Sequence, residues 1–169
     1  MQVLGGAERW GCDKHTYQVA YGSRLLAAKK FRSTFKERDA RVELAAYQLF
    51  FRTSLGPYIP KPYGLLQGGK GKAVGFLVDW REGVPLEYSA LKLLTPADVA
   101  GLETAFLDVG PVLPDLDMAG PNNVCFSTRY LPRIWLAECA KAPNSMSINE
   151  YRESVHKEME GLRRKYVRG

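Results

Sequence analysis

An acidic loop in the second half of the chain gathers residues suited to metal binding and proton transfer. In LPDLDMAGPNN, Asp115 and Asp117 precede Asn122 and Asn123. A positioned carboxylate can take or orient the proton of a hydroxyl. Carboxylate and amide oxygens are also the hard donors that magnesium prefers. A further oxygen donor, Glu138, follows in Glu138-Cys139-Ala140. Upstream, Lys29 stands in LLAAKKF, where a rigid strand could fix its ammonium against phosphate. Glu43 lies within an apolar stretch, ELAAY, where a buried carboxylate would require a partner. Gly5, Gly6 and Gly11 could let backbone amides approach a phosphate. Each feature also has a plain structural explanation: an edge-strand lysine, an exposed helix charge, a Gly/Pro/Asn turn, a tight hairpin.

Elements must hold these residues in place. Residues 2–4, 15–21 and 24–31 read as three strands separated by Gly5-Gly6, Gly11-Cys12-Asp13 and Gly22-Ser23. Residues 33–53 read as a helix capped by Ser33 or Thr34, with Phe35, Val42, Leu44, Ala45, Leu49 and Phe50 as its apolar face. Residues 63–67 and 73–80 form an expected hairpin across the glycine-rich segment 68–72. Gly83-Val84-Pro85 is expected to end that sheet and divide the chain into parts 1–83 and 84–169. Thr95 and Pro96 are a cap and first residue for a helix reaching about Val109. Short strands are expected at 124–126 and 133–137. A last helix, 147–166, presents Ile148, Tyr151, Val155, Met159, Leu162 and Tyr166 on one face.

Composition narrows the classes. The 169 residues are 46% hydrophobic and 25% charged, enough apolar content for a packed core. No apolar run approaches the ~18 residues of a membrane span, and MQVLGGAERW lacks the pattern of a secretory signal. Cys12, Cys125 and Cys139 are odd in number and unpaired in spacing, which suits reduced thiols in a cytoplasm. With only His15 and His156 present, no Cys/His cluster has zinc-ligand spacing. The net charge is +6, yet residues 101–150 carry a net −3. The basic charge and the run Arg163-Arg164-Lys165 offer a nucleic-acid reading, but no nucleic-acid motif accompanies them. The plain reading of this charge is a solvated surface.

The order of these features resembles a protein-kinase fold with a truncated second lobe. Leu26-Ala27-Ala28-Lys29 is similar to the V-A-I-K strand, and Asp117 to Asn122 fits the D-x-x-x-x-N spacing of the catalytic loop. Glu138-Cys139-Ala140 takes the place of D-F-G, and the segment 78–83 resembles the hinge. The implied fold is α+β and two-lobed, with a small antiparallel sheet and one helix in the first lobe and a mainly helical second lobe. The resemblance implies ATP and magnesium as cofactors. Lys29 would hold phosphates and pair with Glu43, with Glu37 as the fallback. Gly5, Gly6, Val78 and Trp80 would border the nucleotide, and Asp117 would serve the acceptor hydroxyl. Asn122 and Glu138 would hold magnesium. Asp115 remains an alternative to Asp117, and Asn123 to Asn122. Glutamate in place of aspartate, the incomplete glycine loop and the absence of A-P-E keep a pseudokinase reading open beside a minimal Ser/Thr protein kinase. Such short kinases resemble those of bacteriophages and injected bacterial effectors, whose targets are host proteins.

Overall fold

Short apolar runs separated by glycine-containing turns build a five-stranded antiparallel sheet in the first part of the chain. The structure is a computed structural model that describes residues 2–4, 14–32, 36–89, 93–109, 114–115, 119–120, 123–140 and 146–168. The expected roles of Gly5, Gly6, Asp117 and Asn122, and the cap at Ser33 or Thr34, therefore lie outside the described residues. The strands are β1 (Gln2–Val3), β2 (Lys14–Tyr21), β3 (Arg24–Phe31), β4 (Pro62–Gln67) and β5 (Ala73–Asp79). Their order is β1-β2-β3-β5-β4, so β3 lies at the centre. Helix α1 (Lys36–Phe50) follows β3 in the chain.

Further along come β6 (Val84–Pro85), α2 (Pro96–Leu107), β7 (Val124–Phe126), β8 (Ile134–Leu136) and α3 (Ile148–Tyr166). The fold class is thus α+β. Spatial proximity divides the chain into two units: Met1–Gln48 with Pro60–Arg81, and Leu49–Ile59 with Glu82–Gly169. Among the described residues, no helix is long and apolar enough to cross a membrane.

In the first unit, β3 is fixed by register. Lys29 stands opposite Thr16 of β2 and Phe76 of β5. The β3–β5 approach is close at Gly75, where an added Cβ would lie 2.0 Å from the Lys29 carbonyl oxygen. Only glycine fits there without moving the strand that carries Lys29. On α1, Ala40, Glu43, Leu44 and Tyr47 are buried, the spacing of one helical face. The Tyr47 and Phe76 rings lie 5.4 Å apart, joining that face to β5. Val42, expected on the apolar face, is 65% exposed, and Ala45 is also exposed. Both lie off the stripe that Glu43 and Tyr47 occupy, so two polar-tipped residues take the inward positions.

In the second unit, β6, β7 and β8 make an antiparallel sheet in that order. Val84-Pro85, expected as a break, pairs instead with Cys125 and Phe126. Gly83 permits this. A Cβ on it would lie 2.7 Å from the Trp135 indole nitrogen and 3.0 Å from the Phe126 carbonyl oxygen. Helix α2 opens with a capping box. The Thr95 hydroxyl accepts from the Asp98 amide, and the Asp98 carboxylate accepts from the Thr95 amide. Asp98 also pairs with Arg133, which ties the helix start to the β7–β8 connection. Helix α3 begins with a second box, between Ser147 and Glu150. Tyr151, Val155, Met159, Leu162 and Tyr166 are buried as expected, whereas Ile148 is exposed in the first turn. Glu103 of α2 accepts from Arg163 and pairs with His156, both on α3. The Cys125 and Cys139 side chains are buried in the core of this unit.

Candidate functional site

Two charged residues are buried together in the first unit. Lys29 is 7% exposed and Glu43 is 9% exposed. A charge removed from water is tolerated when it is paired and hydrogen-bonded. The Lys29 ammonium meets that need by donating to Glu43 Oε1 at 3.3 Å and to the Tyr47 hydroxyl at 2.9 Å. Its nitrogen also lies 5.1 Å from the Tyr47 ring centre and 5.6 Å from that of Phe76. Both distances are within the range where an aromatic face attracts a cation. Strand β3 supplies the lysine, while one face of α1 supplies Glu43 and, one turn later, Tyr47.

A second lysine shares the carboxylate. Lys14 donates to Glu43 Oε2 at 2.7 Å, and its nitrogen lies 5.5 Å from the Phe31 ring centre. Glu43 therefore bridges two ammonium groups, one on each oxygen. Lys14 and Tyr47 were not singled out from the sequence. Strand parity could have found Lys14, because residues 14 and 16 of β2 share the face of Lys29. Spacing could have found Tyr47, four residues after Glu43 on the helix.

The other expected nucleotide-bordering residues lie at the end of β5. Val78 is 1% exposed and stands opposite Ala27. Trp80 donates its amide to the Leu25 carbonyl at 3.2 Å, and Asp79 donates to the Lys61 carbonyl at 2.9 Å. These two amides already close the sheet.

In the second unit, the loop and the acid triplet meet. The Asp115 amide donates to the Ala140 carbonyl at 3.0 Å. The Ala137 amide donates to the Asn123 carbonyl at 2.7 Å, extending the β7–β8 ladder toward Glu138. Glu138 is half-buried, and Cys139 is 2% exposed. Burial pushes the Tyr151 phenol up strongly, and the negative charge of Asp115 adds to that shift. The donor types of Glu138 and the asparagines suit magnesium, which takes oxygen ligands. Among the described residues, no three His, Cys, Asp or Glu side chains converge as a metal site.

Comparison with models of protein families gave no match, and comparison with curated proteins gave none.

Proposed function

We propose that the chain is an ATP- and magnesium-dependent phosphotransferase of protein-kinase-like, two-lobed architecture, acting on a protein hydroxyl. The observation that carries this reading is the buried Lys29–Glu43 pair, which joins the central strand to the helix that follows it. A lysine fixed in this way presents a positive charge whose position does not depend on solvent. Phosphoryl transfer rests mainly on positioning and charge stabilisation, so one fixed ammonium contributes directly.

In this reading Lys29 binds phosphate oxygens, and Glu43 orients it. Asp117 accepts or orients the proton of the acceptor hydroxyl. Asn122 and Glu138 would hold magnesium, whose charge would neutralise phosphate oxygens when it is bound. The additional methylene of glutamate relative to aspartate makes the site at Glu138 a demanding one, because magnesium requires near-ideal geometry. In a labelled-ATP assay with generic protein substrates, wild-type chain should transfer phosphate. Lys29→Ala and Asp117→Asn should abolish the transfer. Robust transfer by both variants would reject the assignment.

A second reading is a pseudokinase that serves as a protein-interaction module. The observation that favours it is Glu138-Cys139-Ala140, whose central thiol is a core residue. A rise in melting temperature on adding ATP with magnesium favours the enzyme, since a ligand of the native state alone stabilises it. No rise favours the module.

A further inference from the structure

The sheet of the first unit has a second face, opposite the one that carries Lys29. Cross-strand partners share a face. The pairs Tyr21 with Arg24, Tyr17 with Ala28, and His15 with Lys30 therefore all belong to this second face. Its centre is filled by Val19, Leu26 and Ala28, with Tyr17, Leu66 and Leu77 packed against them. Around this apolar floor the side chains are aromatic and cationic. Tyr21 is 63% exposed at one end, beside exposed Arg24. The Arg24 guanidinium lies 5.6 Å from the Tyr63 ring centre, and the Lys61 ammonium lies 5.7 Å from it. The Tyr63 phenol donates to Asp79 at 2.6 Å, which fixes the ring against the sheet. At the other end, exposed Lys30 and Arg32 accompany His15, and Arg32 hydrogen-bonds to the His15 ring. Beside Tyr63, a Cβ on Gly64 would meet nothing, so the surface there is open.

We propose that this face binds single-stranded nucleic acid. Two chemical features select that partner. Arg24, Lys30, Arg32 and Lys61 form a cationic border about 26 Å long from Arg24 to Arg32, at roughly 3.3 Å of strand rise per residue. That border matches the repeated negative charge of a phosphodiester backbone. The exposed Tyr21 ring offers a π-face on which an unpaired base stacks, a contact that tolerates any sequence. A paired duplex hides its base faces, and a broad sheet does not enter its grooves. An acidic peptide would satisfy the cations but leave the ring without a stacking partner. The basic run of α3 plays no part in this proposal, which also stands independently of phosphotransfer.

The test is fluorescence anisotropy of the whole chain with a labelled 15-mer of uridine. Binding is expected at 50 mM KCl and should weaken by roughly 50-fold at 200 mM, given four phosphate contacts and a slope of about 0.7 per contact. Tyr21→Ala should weaken binding by about tenfold or more, and Tyr21→Phe should retain it. Arg24→Glu combined with Lys30→Glu should remove it. Tyr21 is exposed, so its variants should keep the wild-type melting temperature and any transfer of labelled phosphate. Three outcomes would overturn the proposal. One is no binding at 50 mM KCl. Another is equal affinity for uridine 15-mer and heparin, with Tyr21→Ala indistinguishable from wild type. The third is tighter binding to phosphatidylserine vesicles than to the 15-mer.

Discussion

The Tyr47 hydroxyl accepts a hydrogen bond from the Lys29 ammonium at 2.9 Å, inside the interface between α1 and the sheet. Hydrogen bonds to a charged group contribute about 1.5–3 kcal/mol. Tyr47→Phe keeps the ring and its contact with Phe76 but removes the acceptor. The variant should lose about that much stability, measured by urea unfolding, with little change in the slope of the transition.

The shared carboxylate sets an order among charge variants. Lys29→Met leaves Glu43 bonded to Lys14, whereas Glu43→Gln removes the charge that serves both lysines. Removing one partner of a buried pair costs about 3–5 kcal/mol when the other is left uncompensated. Glu43→Gln should therefore destabilise more than Lys29→Met in parallel urea titrations. The reverse order would show that the two lysines do not share the carboxylate in solution.

Gly75 tests the seating of β3. Gly75→Ala places a methyl group against the Lys29 carbonyl, where the glycine leaves a Cβ only 2.0 Å of separation. Overpacking of this kind costs about 1–3 kcal/mol. A lower melting temperature is expected. Amide exchange should also quicken at the β3–β5 bonds, while those of β7–β8 keep their protection.

Acid should loosen the α2–α3 contact. Burial alone would raise the Glu103 carboxyl, but hydrogen bonds from His156 and Arg163 and the charge of Arg163 bring it below its ordinary value of 4.5. A carboxylate with a depressed folded value stabilises the protein above its unfolded value. That contribution is lost as pH falls through the folded value. Melting temperature should therefore decline as pH is taken below 4.5 for this group, and below 3.8 for Asp98, which Arg133 and Thr95 also hold low against its burial. In Glu103→Gln the decline should be shallower.

Much of the element order was legible because its signals are local. Alternation marked β2, and glycine-rich breaks marked the β2–β3 and β4–β5 turns. Thr95-Pro96 marked the start of α2, where the capping box forms. Other features depend on partners distant in sequence. Val84-Pro85 carries a breaker's composition, yet it joins a sheet because Cys125 and Phe126 offer an edge. Val42 looks like a core residue until the inward stripe of α1 is seen to pass through Glu43 and Tyr47. Lys29 and Glu43 were both named from a resemblance in motif order. Lys14 required pairing register rather than motif, because its place beside Glu43 comes from the fold of β2 against β3. Asp117, Asn122, Gly5 and Gly6 lie outside the described residues.

The segment Leu49–Ile59 belongs with the second unit although first-unit residues flank it on both sides. The chain therefore passes from one unit to the other three times, at 48/49, 59/60 and 81/82. No single crossover in the gene can exchange one unit intact. A fragment ending at Arg81 would carry away a stretch that its remainder needs. Exchanging one unit while keeping the other takes a crossover at each of these three junctions.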